Sequence, residues 1–202
     1  LIVVDEKGEV VDGDAIMAIC GRDLMEKDRL PHRTVVTTVM SNLGLERSLA
    51  EVGAKAVRTN VGDRYVVETM RRHGYAFGGE QSGHLVYLQH SSTGDGCLAA
   101  LMVLEVMVRT GRSLSELTRV FERVPQRLVN VPVREKIPLS ELPGVSATIR
   151  DVESALGGEG RVLVRYSGTE RKARVMVEGP HEEQTSDYAQ RIAQAIEEAL
   201  GV

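Results

Sequence analysis

The chain has 202 residues, 42% hydrophobic and 27% charged, an ordinary globular composition with ample apolar material for a core. A formal charge of −4, no long Lys/Arg block, no Trp and only 3% aromatics argue against a nucleic-acid surface, which needs a basic stripe or stacking platforms. No apolar run approaches a bilayer span and no charged-then-apolar leader opens the sequence, so neither a membrane partner nor secretion is expected.

In chain order, Leu1–Val4 reads as an aliphatic strand and Glu6-Lys7-Gly8 as a turn. Opening mid-strand without an initiating Met suggests a piece of something longer. Asp12-Gly13-Asp14 caps a helix to about Asp28, with Ile16, Met17, Ile19, Cys20 and Leu24 on its apolar side and Pro31 beyond its end. Thr34–Met40 reads as a buried strand, Leu43–Val52 as a helix ended by Gly53, Lys55–Arg58 as a strand, and Asp63–His73 as a helix stopped by Gly74. Asp63 reads as its cap. Tyr75–Phe77 and Leu85–Leu88 are strands on either side of the polar run GGEQSGH. Thr93-Gly94-Asp95-Gly96 leads into a helix over Cys97–Arg109, and Ser113 with Glu116 forms a capping box for one more. Cys20 and Cys97 sit in apolar, helix-like segments without metal spacing, which reads as two buried thiols of a reducing cytosol. This alternation predicts an α/β domain with a mixed, mostly parallel sheet and flanking helices.

The texture changes near residues 125–130. Val129–Val133, with Pro132 and Pro138, reads as an edge strand and linker. A helix near Thr148–Leu156, strands Val162–Tyr166 and Arg174–Glu178, and an amphipathic helix over Glu182–Leu200 follow. They predict a smaller two-layer α+β domain.

Two loops carry more polar groups than a turn requires. In GGEQSGH, residues 78–84, the carboxylate of Glu80, the amide of Gln81, the hydroxyl of Ser82 and the imidazole of His84 could meet the vicinal hydroxyls of a sugar or polyol, with glycines letting the chain bend around the ring. A nucleophilic Ser82 with His84 as base lacks the G-x-S-x-G elbow. A metal at Glu80 and His84 lacks a third ligand. A plain polar turn with His84 satisfied locally is the competing reading. In RYSGTERKAR, residues 165–174, Arg165 and Arg174 could clamp an oxyanion, with Ser167 and Thr169 hydroxyls and a close approach at Gly168. A solvated turn is the equal alternative there. Arg64, at a helix start after Val61-Gly62-Asp63, could also face a ligand.

GGEQSGH at 78–84, VGDRYVVE at 61–68, TGDG at 93–96 and RYSGTERKARVMVEG at 165–179 together resemble the C-terminal half of the α-D-phosphohexomutases, across essentially the whole chain. Within them the similarity points to the branch acting on glucosamine phosphates. The resemblance implies residues 1–11 as the tail of a second domain, 12–127 as a sugar-binding third and 128–202 as a phosphate-binding fourth. It implies an intramolecular phosphotransferase, an isomerase on the route to UDP-N-acetylglucosamine and the cell wall. A phosphoserine and a Mg2+ loop would lie in the missing N-terminal half, with no metal held by this chain. The implied partner is a hexosamine phosphate, in the cytoplasm, in a homodimeric parent; the piece alone is expected to be a monomeric, inactive sugar-phosphate-binding module. The resemblance places Glu80, Gln81, Ser82 and His84 at the sugar, Arg165, Ser167, Gly168, Thr169 and Arg174 at the phosphate, and Arg64 and His84 near the reacting group. Phosphomannomutase or phosphoglucomutase activity is the alternative. Two departures stand in the phosphate loop: Arg171-Lys172 where the family carries a proline, and Tyr166 where Pro or Lys is commoner.

Overall fold

The computed structural model of the chain describes residues 1–201 in two compact units, Leu1–Arg123 and Val124–Val202. The first opens on an antiparallel hairpin of β1 (Val3–Val4) and β2 (Val10–Val11). The sequence reading has only the first of these strands. The reversal comes from Asp5, whose carboxylate accepts the N–H groups of Lys7 and Glu9 at 2.9 Å each.

Helix α1 (Gly13–Glu26) is capped by Asp12, which accepts the Ala15 N–H at 3.0 Å. Its expected apolar side is buried throughout. Asp14 is not a second cap. It is buried inside the first turn and accepts the Asn42 N–H at 2.8 Å, tying α1 to the start of the next helix.

After β3 (Thr34–Thr38) come α2 (Leu43–Ala50), β4 (Lys55–Thr59), α3 (Asp63–His73), β5 (Phe77–Gly79), β6 (Leu85–Tyr87), α4 (Gly96–Thr110) and the short α5 (Leu114–Leu117). The sheet runs β4-β3-β5-β6, with β3 parallel to β4 and β5, and β6 returning antiparallel. Successive side chains point to opposite faces. Val35, Phe77, Leu85 and Tyr87 pack with α1, α2 and α4, while Val36 and Val86 pack on Val66 and Met70 of α3. Three layers result, α/β/α.

Two boundaries differ from the sequence reading. Gly62, not Asp63, is the N-cap of α3; Asp63 is its first residue and accepts the Arg64 N–H at 2.8 Å. Strand β5 starts later than expected and runs into the glycine pair. A Cβ on Gly78 would stand 3.0 Å from Met70 Sδ, and one on Gly79 2.7 Å from Leu85 Cδ2. These glycines admit close packing within the sheet rather than a bend around a ligand.

The second unit is an antiparallel sheet of order β7-β9-β8, from β7 (Gln126–Pro132), β8 (Arg161–Tyr166) and β9 (Lys172–Glu178), covered by α6 (Pro143–Leu156) and α7 (Glu182–Leu200). β7 is an edge strand, as is β8, and Pro132 is the last residue of β7. α6 begins at Pro143 rather than near Thr148, because proline's fixed φ suits the first helical position. Val131, Ala173, Val175 and Val177 form the inner row against Val152 of α6 and Ile192 and Ile196 of α7. The opposite sheet face therefore carries the alternate row, in which Arg165 faces Arg174 and Arg174 faces Asn130.

Candidate functional site

Parallel strands β3 and β5 end on the same side of the sheet as β4, the side on which open α/β sheets place ligands. The starts of α1, α2 and α3 gather there, and so does the β5–β6 hairpin tip, Glu80–His84. The tip closes through the Glu80 N–H to His84 O at 2.9 Å and the Gly83 N–H to Glu80 O at 3.0 Å. Two helix starts hold it. The Gly13 N–H donates to Gln81 O at 3.0 Å, and the Gly62 N–H donates to Glu80 Oε1 at 3.0 Å. The second is a charge-assisted bond at a helix N-terminus, where the helix dipole also favours a carboxylate.

Glu80 is thus a buried carboxylate with one oxygen anchored. Its other oxygen lies 3.8 Å from His84 Nδ1, and Ser82 Oγ is 3.3 Å from the same nitrogen. The His84 side chain is 64% exposed, so this cluster opens to solvent. Glu80, Ser82 and His84 are brought together; Gln81 contributes its backbone carbonyl to the anchoring. Arg64 is not drawn in: its exposed guanidinium pairs with Glu68, one turn along α3, at 2.9 Å.

The β8–β9 hairpin tip has the opposite character. Arg165 and Arg174 stand directly across from one another, where like charges destabilise a strand pair. Burial, and then the charge of Arg174, lower the pKa of the Arg165 guanidinium. The Nε of Arg174 is buried without an acceptor among the described residues. An anion between the two guanidiniums would satisfy that donor and relieve the repulsion. Ser167 is buried; its N–H closes the hairpin on Lys172 O at 2.8 Å, and its hydroxyl accepts the Glu170 N–H at 3.3 Å. Gly168 and Thr169 are exposed at the tip. Glu170 bonds Lys172 at 2.8 Å and Arg174 at 3.4 Å, and the Lys172 bond leads in holding its carboxyl below the ordinary value. The departures from the family pattern thus find local partners. Lys172 meets Glu170, and the Tyr166 hydroxyl donates to Ile137 O at 2.6 Å.

The cysteines divide. Cys20 is buried, and burial pushes its thiol pKa up to about 12. Cys97 is exposed, against expectation, because it is the second residue of α4 and falls on that helix's outer side. Asn130 was not singled out by the sequence reading; it joins the Arg165–Arg174 row only through the β7–β9 register. A cavity of about 410 Å³, lined by residues such as Ile19, Arg22, Val106 and Arg109, opens beside the C-terminal half of α1, away from the Glu80 loop.

Residues 12–124 match the family described as phosphoglucomutase/phosphomannomutase, alpha/beta/alpha domain III, and residues 128–195 match the C-terminal domain of the same proteins. The chain belongs to the phosphoglucomutase/phosphomannomutase family. Curated members similar to it include the phosphoglucosamine mutase of Anaeromyxobacter dehalogenans, 64% identical over 201 residues, and that of Myxococcus xanthus, 59% identical over 202. Each alignment covers 100% of this chain and 44% of the relative, so the chain spans less than half their length. Among solved structures, an N-acetylphosphoglucosamine mutase of Aspergillus fumigatus superposes with a TM-score of 0.82 at 22% identity, over 100% of this chain and 46% of that one. A structure of the Aspergillus enzyme in complex with GlcNAc-6P and magnesium superposes at 0.78, over 96% of this chain and 49% of that one, again at 22% identity. These likenesses establish the fold of this family member.

Proposed function

We propose that the chain is the C-terminal half of a phosphoglucosamine mutase, whose whole form interconverts glucosamine 6-phosphate and glucosamine 1-phosphate. The observation that carries this is the presence of two unlike hairpin tips, one in each unit, in a family member whose curated relatives at 51–64% identity are phosphoglucosamine mutases. One tip presents a carboxylate with an oxygen left for hydroxyl donors; the other presents two opposed guanidiniums for an oxyanion. In this proposal residues 1–11 close a second domain, 12–127 form the third and 128–202 the fourth.

The substrate must be gripped in two orientations, one for each phosphate in turn. Glu80 accepts from vicinal sugar hydroxyls, and Ser82 and His84 complete the ring contact beside Gln81. Arg165 and Arg174 take the phosphate that is not reacting, with the Ser167 and Thr169 hydroxyls and the backbone at Gly168. Arg64 would need to leave Glu68 to approach the reacting hydroxyl. Catalysis by these residues is orientation and charge stabilisation, which phosphoryl transfer chiefly requires. The phosphoserine is assigned to the part of the protein outside this chain. The magnesium ligands are assigned outside this chain too.

No helix among the described residues is long and apolar enough to cross a membrane. A cytoplasmic, homodimeric parent fits the proposal, and the chain alone is proposed to be a monomer that binds hexosamine phosphate without turning it over. Turnover of the full-length protein on glucosamine 6-phosphate, mannose 1-phosphate and glucose 1-phosphate tests it. Glucosamine 6-phosphate is expected to be the best substrate, and a preference for either of the others overturns the assignment.

A further inference from the structure

We infer that Lys136 is a positioning residue of the anion loop, orienting two backbone N–H groups toward the bound phosphate. This rests on the phosphate-binding reading of residues 165–174. The Lys136 ammonium donates to Ser167 O at 2.6 Å and to Gly168 O at 3.5 Å. Each of these carbonyls shares a peptide plane with the next residue's N–H. No peptide bond among the described residues is cis, and in a trans peptide the C=O and N–H point in opposite directions. Turning both carbonyls to Lys136 therefore turns the Gly168 and Thr169 N–H groups away from it. Neither N–H has an acceptor among the described residues. Successive backbone donors of this kind make an anion-binding concavity.

The segment bearing Lys136 is itself tied to the loop on either side. The Val133 N–H donates to Arg171 O at 3.0 Å, and Ile137 O accepts from the Tyr166 hydroxyl at 2.6 Å. The backbone around Lys136 is thus tied to the loop, and its ammonium bonds the turn from an exposed position. It also neutralises two carbonyl oxygens whose lone pairs would repel a phosphate dianion if the loop relaxed toward the ligand. Sequence inspection passes over this residue, because Lys136 lies 31 positions from Ser167 in a linker-like stretch.

The test is phosphate binding by the 202-residue chain, followed through the amide resonances of Gly168 and Thr169, for wild type, Lys136→Met, Lys136→Gln, Lys136→Arg and Arg174→Ala. Inorganic phosphate is the probe. Both neutral variants are expected to move the two amide resonances before any ligand is added and to weaken phosphate binding about tenfold, with Lys136→Arg restoring most of it. In the full-length enzyme the corresponding loss is expected in KM more than in kcat, since the grip acts in ground and transition states alike. If Arg174→Ala weakens binding while both neutral variants stay within twofold of wild type, Lys136 has no positioning role and the phosphate reading stands. If Arg174→Ala also changes nothing, both inferences fall. Weakening that Lys136→Arg does not relieve, with the two amides unmoved, also overturns positioning.

Discussion

The β5–β6 and β8–β9 hairpin tips both join antiparallel strands through a short polar turn, yet they are held from opposite sides. At Glu80–His84 the neighbours are donors: the Gly13 and Gly62 N–H groups, at helix starts, fix a carbonyl and one carboxylate oxygen. What remains outward is chiefly acceptor, which suits sugar hydroxyls. At Ser167–Arg171 the fixed groups are carbonyls, held by Lys136 and the Val133 N–H. The turn then presents chiefly donors, the Gly168 and Thr169 N–H groups beside the guanidiniums of Arg165 and of Arg174, the latter shared with Glu170 at 3.4 Å, which suit phosphate oxygens. The charge of each tip comes from its side chains, and the half of the peptide its surroundings engage leaves backbone groups of matching hydrogen-bonding character.

The largest effect is expected from breaking the first tip at its support. A Cβ at Gly13 would stand 2.8 Å from Gly83 N and 2.9 Å from Gln81 C, with Glu80 O closer still. Because those atoms are backbone, Gly13→Ala should cost at least the ~1–3 kcal/mol typical of overpacking, read as a lower urea midpoint for the first unit. Arg174→Ala should weaken phosphate binding about 10–100-fold, the worth of a ~1.5–3 kcal/mol hydrogen bond to a charged group, and leave the Glu80 loop resonances in place. Glu80→Gln should be its mirror image, weakening glucosamine 6-phosphate about tenfold through a lost charge-assisted bond of ~1.5 kcal/mol while inorganic phosphate still binds. Calorimetric titration of each variant with both ligands checks the pair. If Glu80→Gln weakens inorganic phosphate as much as glucosamine 6-phosphate, or Arg174→Ala spares inorganic phosphate, the division of labour between the tips is wrong.

A smaller change is expected at Glu170. Its carboxylate already occupies Lys172 and Arg174, so Glu170→Gln should tighten phosphate binding a few-fold by removing an internal competitor; weaker binding in the same titration would show that Glu170 shapes the turn instead. The smallest effect lies outside both tips. Hydrogen bonding from Ser115 leads in lowering the Glu6 carboxyl from 4.5 to about 2. A folded pKa below the unfolded value stabilises above the unfolded pKa and is lost as pH falls through the window between the two. Wild type should therefore lose melting temperature between pH 4.5 and 2 more steeply than Glu6→Gln, and parallel curves would remove Glu6 from the acid response.

Much of this was legible in the residues. The Asp12 cap, the Ser113–Glu116 capping box and the Gly74 stop appear as read, because each is settled by bonds within about one helical turn. Residues 78–84 and 165–174 stood out because they hold more hydrogen-bonding groups than a reversal needs. Errors fell where packing overrode local pattern. The Gly78-Gly79 pair looked like loop and became strand under Met70 and Leu85, and Cys97 looked buried until α4 turned its second residue outward.

The sequence by itself determined most of the helices and strands, their order, and which two turns were chemically rich, since periodicity, caps and side-chain inventory are local properties. Only the tertiary structure decided what those turns offer a ligand. That Glu80 has one oxygen anchored and the other beside His84 depends on Gly62 reaching it across 18 positions, and that the loop donors face out depends on Lys136 across 31. Bonds between distant residues are fixed by register and burial, and neither is written in the neighbourhood of the residues they orient.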